Sequence, residues 1–315
     1  MTARLIMKLR VDAAVPVTRE VLHVTLAHPR RPTLPPWTPG AHVDLHLPDG
    51  RVRQYSLCGD RDDPSYYEIA IKREENGRGG SRWAHENLRS GTIVHVSAPR
   101  NNFRLATEAS ENAFIAGGIG ITPIASMVRA LAATDGTFHL HFCARSAEAA
   151  PLLGRLREIC GSRLTCWFSS TGNRFDPAIL GPPRPGQHVY VCGPQSLVDA
   201  TKAELSRKGW PEAQRHIEHF EALRDDNFKP EPFDVEIAST GAILHVPAER
   251  SLLAVLREHG VAVPFSCEIG VCGSCQCGYR SGTVIHRDNI LAGAARQDRM
   301  TPCVSRARGK LLLDV

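Results

Sequence analysis

The sequence has no run approaching about 18 uninterrupted apolar residues, so no membrane span is expected. Its opening stretch, MTARLIMKLRVDAAV, holds no apolar segment of signal-peptide length. A cytoplasmic, reducing location is therefore expected, and disulfides are not. Neither sign of charge dominates: 38 Lys and Arg stand against 33 Asp and Glu, a formal net charge of +5. The arginines are scattered rather than clustered, so neither nucleic acid nor a membrane is expected as a partner. No acid–base triad stands out, and the 14 histidines read as surface or packing residues. What is present is an ordinary globular composition, 42% hydrophobic and 23% charged. A chain of 315 residues exceeds what one core usually holds, so two or three domains are expected.

Ten cysteines in a reducing compartment call for an explanation. Cys58, Cys143, Cys160, Cys166 and Cys192 are spread through the first two thirds and read as small buried apolar residues. Cys267, Cys272, Cys275, Cys277 and Cys303 cluster near the end. The first three have the spacing C-x4-C-x2-C within PFSCEIGVCGSCQCG, and Cys303 stands far downstream. That is the plant-type [2Fe–2S] pattern of three ligands on one loop and a distant fourth. Gly270 and Gly273 supply the backbone freedom that a loop wrapped around a cluster needs. Structural zinc is the competing reading, but it usually presents two separated C-x2-C pairs, and the distal half here has one cysteine. Cys277 begins a strand and is read as a bystander.

The flanking segments describe a small β-rich domain. FDVEIASTGAILHVPA reads as two strands joined at Thr240-Gly241, RSLLAVLREHG as a helix ended by Gly260, and GKLLLDV as a last strand. This region resembles plant-type ferredoxins over roughly residues 230 to 315, which implies a β-grasp, α+β iron–sulfur domain.

In the middle third, NAFIAGGIGITPIASMVRALAA reads as an apolar strand, a turn carrying Gly117, Gly118 and Gly120, and a helix with Pro123 in its first turn. Helix N-terminal N–H groups favour a phosphate. TFHLHFCARS is a strand ending at Arg145 and Ser146, RLTCWFSSTG is another, and GQHVYVCGPQSLVDATKAELSRKG is a strand, a Cys192-Gly193-Pro194 turn and a helix. Strands alternating with helices indicate a parallel sheet with ligands at the carboxyl ends of its strands. GGIGITP together with CGP resembles the NAD(P)-binding domain of the ferredoxin-NADP reductase superfamily. The resemblance implies that Thr122 lies beside flavin and nicotinamide, with Cys192 near the reacting face. A core thiol at a strand end is an equal reading of Cys192.

Residues 15 to 105 show short alternating strands with turn signals, which indicates an antiparallel barrel. HVDLHLPDGRVRQYSL reads as a hairpin turning at Asp49-Gly50, with Arg53, Tyr55 and Leu57 on one face. IAIKREENGRGGSRW ends a strand at Lys72 and leads through Gly77, Gly79, Gly80 and Ser81 into a helix, a phosphate cradle. RQYSL together with GRGGS resembles the FMN-binding domain of the phthalate dioxygenase reductases and vanillate demethylase reductases. The resemblance covers nearly the whole chain. It implies Arg53, Tyr55, Ser56, Lys72, Gly79, Gly80, Ser81 and Thr122 at FMN. It adds Phe220, in HFE, packed on the flavin, with plain packing as an equal reading. Gly117, Gly118, Gly120, Pro123, Arg145, Ser146, Cys192, Gly193 and Pro194 are assigned to NAD(P).

The expected organisation is therefore multidomain. It comprises a flavin β-barrel over 1–107, an α/β nucleotide domain over 108–224, a linker over 225–232 and a ferredoxin domain over 233–315. The expected activity is that of an NAD(P)H-dependent oxidoreductase, the reductase of a Rieske-type aromatic oxygenase or O-demethylase and a monomer. NADH is preferred to NADPH, although no carboxylate follows the strand LTCWF before Asp176, and Arg174 could accept a phosphate. The alternatives are a different acceptor, such as a separate ferredoxin or another monooxygenase, and a non-enzymatic iron–sulfur sensor.

Overall fold

The computed structural model describes residues 5–222, 225 and 227–315. It divides into two compact units, Met1–Phe220 and Glu221–Val315. Arg224, which closes the expected nucleotide domain, and Asp226, inside the expected linker, lie outside the described residues.

The first unit begins with six strands and one helix: β1 (Ile6–Pro16), β2 (Val21–Ala27), β3 (His42–His46), β4 (Val52–Ser56), β5 (Tyr66–Lys72), α1 (Gly80–Asn87) and β6 (Ile93–Ser97). The sheet order is β4-β3-β6-β1-β2-β5, and its adjacent pairs are antiparallel. A bridge between Leu57 and Ile69 joins the two edge strands, so the sheet closes into the expected barrel. Alternation along β1 buries Met7, Leu9 and Val11 inside it. Leu26, Leu45 and Ile69 join them, each fully buried and worth about 1.5–3 kcal/mol. The β3–β4 connection is longer than a two-residue turn. Leu47 and Arg51 close it by a backbone hydrogen bond of 2.8 Å, and Gly50 takes the left-handed φ of +82°.

The same unit continues as β7 (Glu111–Gly117), α2 (Ile121–Ala132), β8 (Phe138–Ala144), α3 (Leu153–Cys160), β9 (Leu164–Phe168), β10 (Gln187–Cys192), α4 (Gln195–Arg207) and β11 (Arg215–Glu218). The strands form a fully parallel sheet in the order β11-β10-β7-β8-β9. Strand order reverses between β7 and β10, and in such sheets the crevice at the reversal is where ligands bind. One face packs Ile121, Ile124 and Val128 of α2 and Leu156 of α3 onto Phe114, Leu140 and Phe142. The other packs Val198 and Leu205 of α4 onto Ile115, Val189 and Val191. The first of these cores also takes in Val21, Cys58, Ala70 and Phe103, so barrel and parallel sheet share one continuous apolar contact.

The second unit holds β12 (Phe233–Ile237), β13 (Ile243–Val246), α5 (Leu252–Glu258), β14 (Cys277–Ile285), β15 (Arg299–Met300) and β16 (Arg306–Asp314). The sheet order is β13-β12-β16-β14-β15, with β12 and β16 parallel and the other pairs antiparallel. Ser251 caps α5 by accepting the Ala254 N–H at 3.2 Å, and the helix buries Leu252, Leu253, Val255 and Leu256. Among the described residues, no helix is long and apolar enough to cross a membrane.

Candidate functional site

Four of the clustered cysteines meet in the second unit. Cys267, Cys272, Cys275 and Cys303 are all buried. They stand as two pairs of hydrogen-bonded thiols, Cys267 with Cys272 and Cys275 with Cys303. Cys303 also lies within electrostatic reach of Cys267, so the pairs are neighbours. Donation from Cys267 holds the Cys272 thiol below the ordinary cysteine range, and donation from Cys303 does the same for Cys275. Backbone N–H groups converge as well: Ile269 on Cys267 Sγ at 3.5 Å and Ser274 on Cys272 Sγ at 3.4 Å. Among the described residues, no three His, Cys, Asp or Glu side chains converge on a single-ion position. Two thiol pairs beneath backbone donors fit a two-iron group, with one pair for each iron.

The loop between the pairs is built for close approach. Gly270 and Gly273 have φ of +76° and +67°. A Cβ at Gly270 would lie 2.7 Å from the Val304 side chain and 3.1 Å from Asp288 Cα. Cys277 stands outside the two thiol pairs, its thiol 3.9 Å from the Met300 carbonyl, and burial pushes it up to about 12.

In the first unit, the β4 strand and the α1 loop come together. A Cβ on Gly80 would lie 2.6 Å from Arg53 Nε, and one on Gly79 would lie 2.7 Å from Arg51 Nη1. Gly79 precedes α1 at φ +80°, a conformation that favours glycine. Arg51 and Arg53 both donate to the Arg78 carbonyl, the latter at 3.4 Å. The Ser81 hydroxyl accepts the Glu74 N–H at 3.0 Å and keeps its proton to donate. This cradle of guanidinium groups, a hydroxyl proton and a helix N-terminus fits a phosphate. Arg51 belongs to the cluster although sequence reasoning did not single it out. Tyr55 and Ser56 follow Arg53 on the strand, and burial pushes the Tyr55 phenol well up. Lys72 is instead turned to Glu74, its ammonium 2.7 Å from that carboxylate.

At the switch point of the parallel sheet the two glycine-rich turns touch. A Cβ on Gly120 would fall 2.3 Å from the Cys192 carbonyl, and one on Gly117 would fall 2.6 Å from the Pro194 ring. Gly118 has φ +51°, and Pro123 sits in the first turn of α2. Thr122 is buried, its hydroxyl donating to the Ile119 carbonyl at 3.0 Å. Cys192 is wholly buried, which raises its thiol well above the ordinary range. Arg145 and Ser146 follow β8 on the same side of the sheet, and the Arg145 carbonyl accepts the Ser170 N–H at 2.9 Å. Phe220 packs against the core shared by barrel and sheet. One residue that the sequence did not reveal is Glu218, the register partner of Cys192 on β11. Its Oε2 is shielded with no hydrogen-bond partner, and burial pushes the carboxyl up to about 8.

A phosphate cradle on a barrel, a dinucleotide crevice on a parallel sheet and a thiol-rich loop on a β-grasp sheet define a pyridine-nucleotide-dependent, iron–sulfur-carrying oxidoreductase. Residues 235–308 match the 2Fe-2S iron-sulfur cluster binding domain family, a span that includes all four cysteines. The chain is 38% identical over 311 residues to the phthalate 4,5-dioxygenase oxygenase reductase subunit of Pseudomonas putida, covering 97% of this chain and 95% of that protein. The solved structure of phthalate dioxygenase reductase, described as a modular structure for electron transfer from pyridine nucleotides to [2Fe–2S], superposes with a TM-score of 0.78 at 36% identity over 98% of both chains. An intact type IV self-sufficient cytochrome P450 monooxygenase superposes at TM-score 0.85 and 34% identity, covering 98% of this chain and 41% of that longer one. The chain belongs to the phthalate dioxygenase reductase and vanillate O-demethylase reductase family.

Proposed function

We propose that this chain is the reductase component of a two-component Rieske-type aromatic oxygenase or O-demethylase. It takes electrons from NADH through FMN to a [2Fe–2S] cluster and passes them to the oxygenase. The observation that carries the reading is the coexistence, in one chain, of the arginine-lined glycine cradle and the paired thiols. When bound, a flavin supplies the conversion between two-electron hydride chemistry and the single electrons that a [2Fe–2S] centre accepts.

The protein's own part is to bind and orient. Arg53 and Ser81, with the N-terminus of α1, hold the flavin phosphate, and Tyr55 and Ser56 line the ring. Gly117, Gly118, Gly120, Gly193 and Pro194 bring the nucleotide close to the sheet, with Arg145 and Ser146 on its far part. Thr122 and Cys192 flank the reacting face. Cys267, Cys272, Cys275 and Cys303 would hold the [2Fe–2S] cluster. The same reading includes a monomer in a reducing, cytoplasmic compartment.

A second acceptor class, a haem monooxygenase, is favoured by one observation: this chain superposes on part of an intact type IV self-sufficient cytochrome P450 monooxygenase. Spectroscopy of the purified protein tests the shared core of both readings. A flavin absorption band that NADH bleaches supports a reductase, and a cluster spectrum without flavin overturns it. Coupled turnover with candidate Rieske and haem oxygenases then separates the two acceptors.

A further inference from the structure

The structure assigns Glu68 and Arg155 as positioning residues: their salt bridge sets the approach of the nucleotide-binding layer to the flavin strand. The inference rests on the reductase reading and goes beyond it by naming what holds the two redox partners in register.

Glu68 lies on β5 of the barrel with its side chain only 9% exposed. Arg155 comes from α3 of the parallel-sheet layer, 87 residues away, and its Nη1 lies 3.0 Å from Oε1 and 3.1 Å from Oε2. Both residues belong to the same compact unit. His23 Nε2 stands 3.6 Å from Oε1. Burial lowers its pKa, so Arg155 is the cation that balances the carboxylate.

Each end of the bridge leads directly to redox machinery. On the barrel side, the Glu68 carbonyl accepts the Cys58 N–H at 2.9 Å and its thiol at 3.5 Å. Cys58 continues the RQYSL strand two positions beyond Ser56, so a shift of Glu68 is passed to the residues that line the flavin. Room for the carboxylate is reserved, because a Cβ on Gly59 would lie 2.8 Å from Oε2. On the other side, the turn that leads into α3 is the one that starts from Arg145 and Ser146 after β8.

Other polar ties between the layers are differently placed. Ser126 accepts the Gly40 N–H at 3.0 Å, Tyr190 accepts the Ala106 N–H at 2.7 Å, and Arg129 meets Asp60 at 3.5 Å with both side chains about one-third exposed. Of these ties, the Glu68–Arg155 bridge is the one that buries a carboxylate. The Arg155 side chain is 48% exposed, so only the carboxylate end of the bridge is buried, and apolar packing of the same volume would hold the two layers together at least as well. What the pair adds is direction, and hydride transfer is sensitive to misplacement on the ångström scale.

The test uses the full-length holoprotein and the variants Arg155→Gln, Arg155→Lys and Glu68→Gln. Four readouts are taken: flavin content, the rate of flavin reduction at saturating NADH, the NADH dissociation constant, and the long-wavelength charge-transfer absorbance between flavin and nicotinamide. Arg155→Gln is expected to slow reduction on the order of tenfold and to weaken the charge-transfer band. Flavin content should stay unchanged and the dissociation constant within about twofold, with Arg155→Lys recovering part of the rate. A wild-type rate and band in Arg155→Gln and Glu68→Gln, with only a lowered melting temperature, would reduce the bridge to a structural tie. Should Arg155→Gln lose its flavin, Arg155→Lys and Glu68→Gln decide by the same readouts. A wild-type protein that NADH fails to reduce sinks the reductase reading and this inference with it, an outcome distinct from variants that match a working wild type.

Discussion

Gly193 faces Gly117 across the switch point so closely that a Cβ on Gly193 would lie 2.9 Å from both Gly117 Cα and Gly117 N. The obstacle is backbone and cannot rotate away. Gly193→Ala is therefore expected to push the two turns apart, costing about 1–3 kcal/mol of stability and raising the KM for NADH. Gly154, in the first turn of α3, has nothing within 4 Å of its own Cβ position. There, Gly154→Ala should stabilise by about 0.5–1 kcal/mol. Thermal melts of the two variants, with NADH titrations, check both directions.

Arg53 lies over Gly80 at the mouth of the phosphate cradle. Arg53→Ala removes a charge-assisted donor worth about 1.5–3 kcal/mol, so FMN should bind about tenfold to a hundredfold more weakly. Fluorescence titration of the flavin-free protein measures this. Unchanged affinity would assign the phosphate to Arg51 and the backbone N–H groups.

Cys277 is the fourth cysteine of the cluster loop, and its buried thiol lies 3.9 Å from the Met300 carbonyl, outside the two thiol pairs. Cys277→Ser should leave iron and sulfide content and the visible spectrum unchanged. Cys272→Ser should abolish the cluster, because it removes a member of one thiol pair. Loss of the cluster in Cys277→Ser would show that the ligand set is wrong.

Much of this organisation is legible in the sequence because it is written locally. The C-x4-C-x2-C spacing, the glycine turns after apolar strands and the alternation along the barrel strands each fit within about twenty residues of chain. What escaped is long-range. Glu68 and Arg155 are ordinary charged residues until folding places them 3.0 Å apart. Glu218 acquires meaning only from its register with Cys192, through a strand of four residues too short to announce itself. The division of the thiols into Cys267–Cys272 and Cys275–Cys303 pairs likewise comes from the path of the loop, not from its spacing.

Nicotinamide preference is expected to depend on the turn after β9. Ser169–Thr171 form a short 3-10 turn whose Ser170 N–H is tied to the Arg145 carbonyl at 2.9 Å, and Arg174 is exposed just beyond. No carboxylate stands there before Asp176 to take the ribose hydroxyls of NADH. NADH is expected to remain the better donor, with appreciable use of NADPH. Arg174→Ala should lower kcat/KM for NADPH about twofold to tenfold and spare NADH. Steady-state kinetics with both nucleotides decide it, and an NADPH value well above that for NADH would reverse the preference.

Glu218 is expected to give the fold a specific pH dependence. Its carboxyl is raised from 4.5 to about 8 by burial, so between those values the folded chain holds a proton that the unfolded chain has released. Stability from this group is complete below the lower value and is lost as pH rises toward the upper one. Buried His42 and His141 and half-buried His216 act in the opposite sense. Each is lowered from 6.5 to about 4, so the unfolded chain binds more protons in that interval and stability climbs with pH until about 6.5. The window from 6.5 to 8 therefore isolates Glu218 from the histidines. A fragment ending at Ala222 keeps the compact first unit and removes the thiols at 267–303, whose own ionisation would otherwise enter the window. In urea denaturation of that fragment, the stability of wild type relative to Glu218→Gln should fall with pH across the window. The slope should approach about 1.4 kcal/mol per pH unit. A difference that stays flat from 6.5 to 8 would mean that Glu218 is already ionised in the folded protein and that the shielded carboxylate has found a partner.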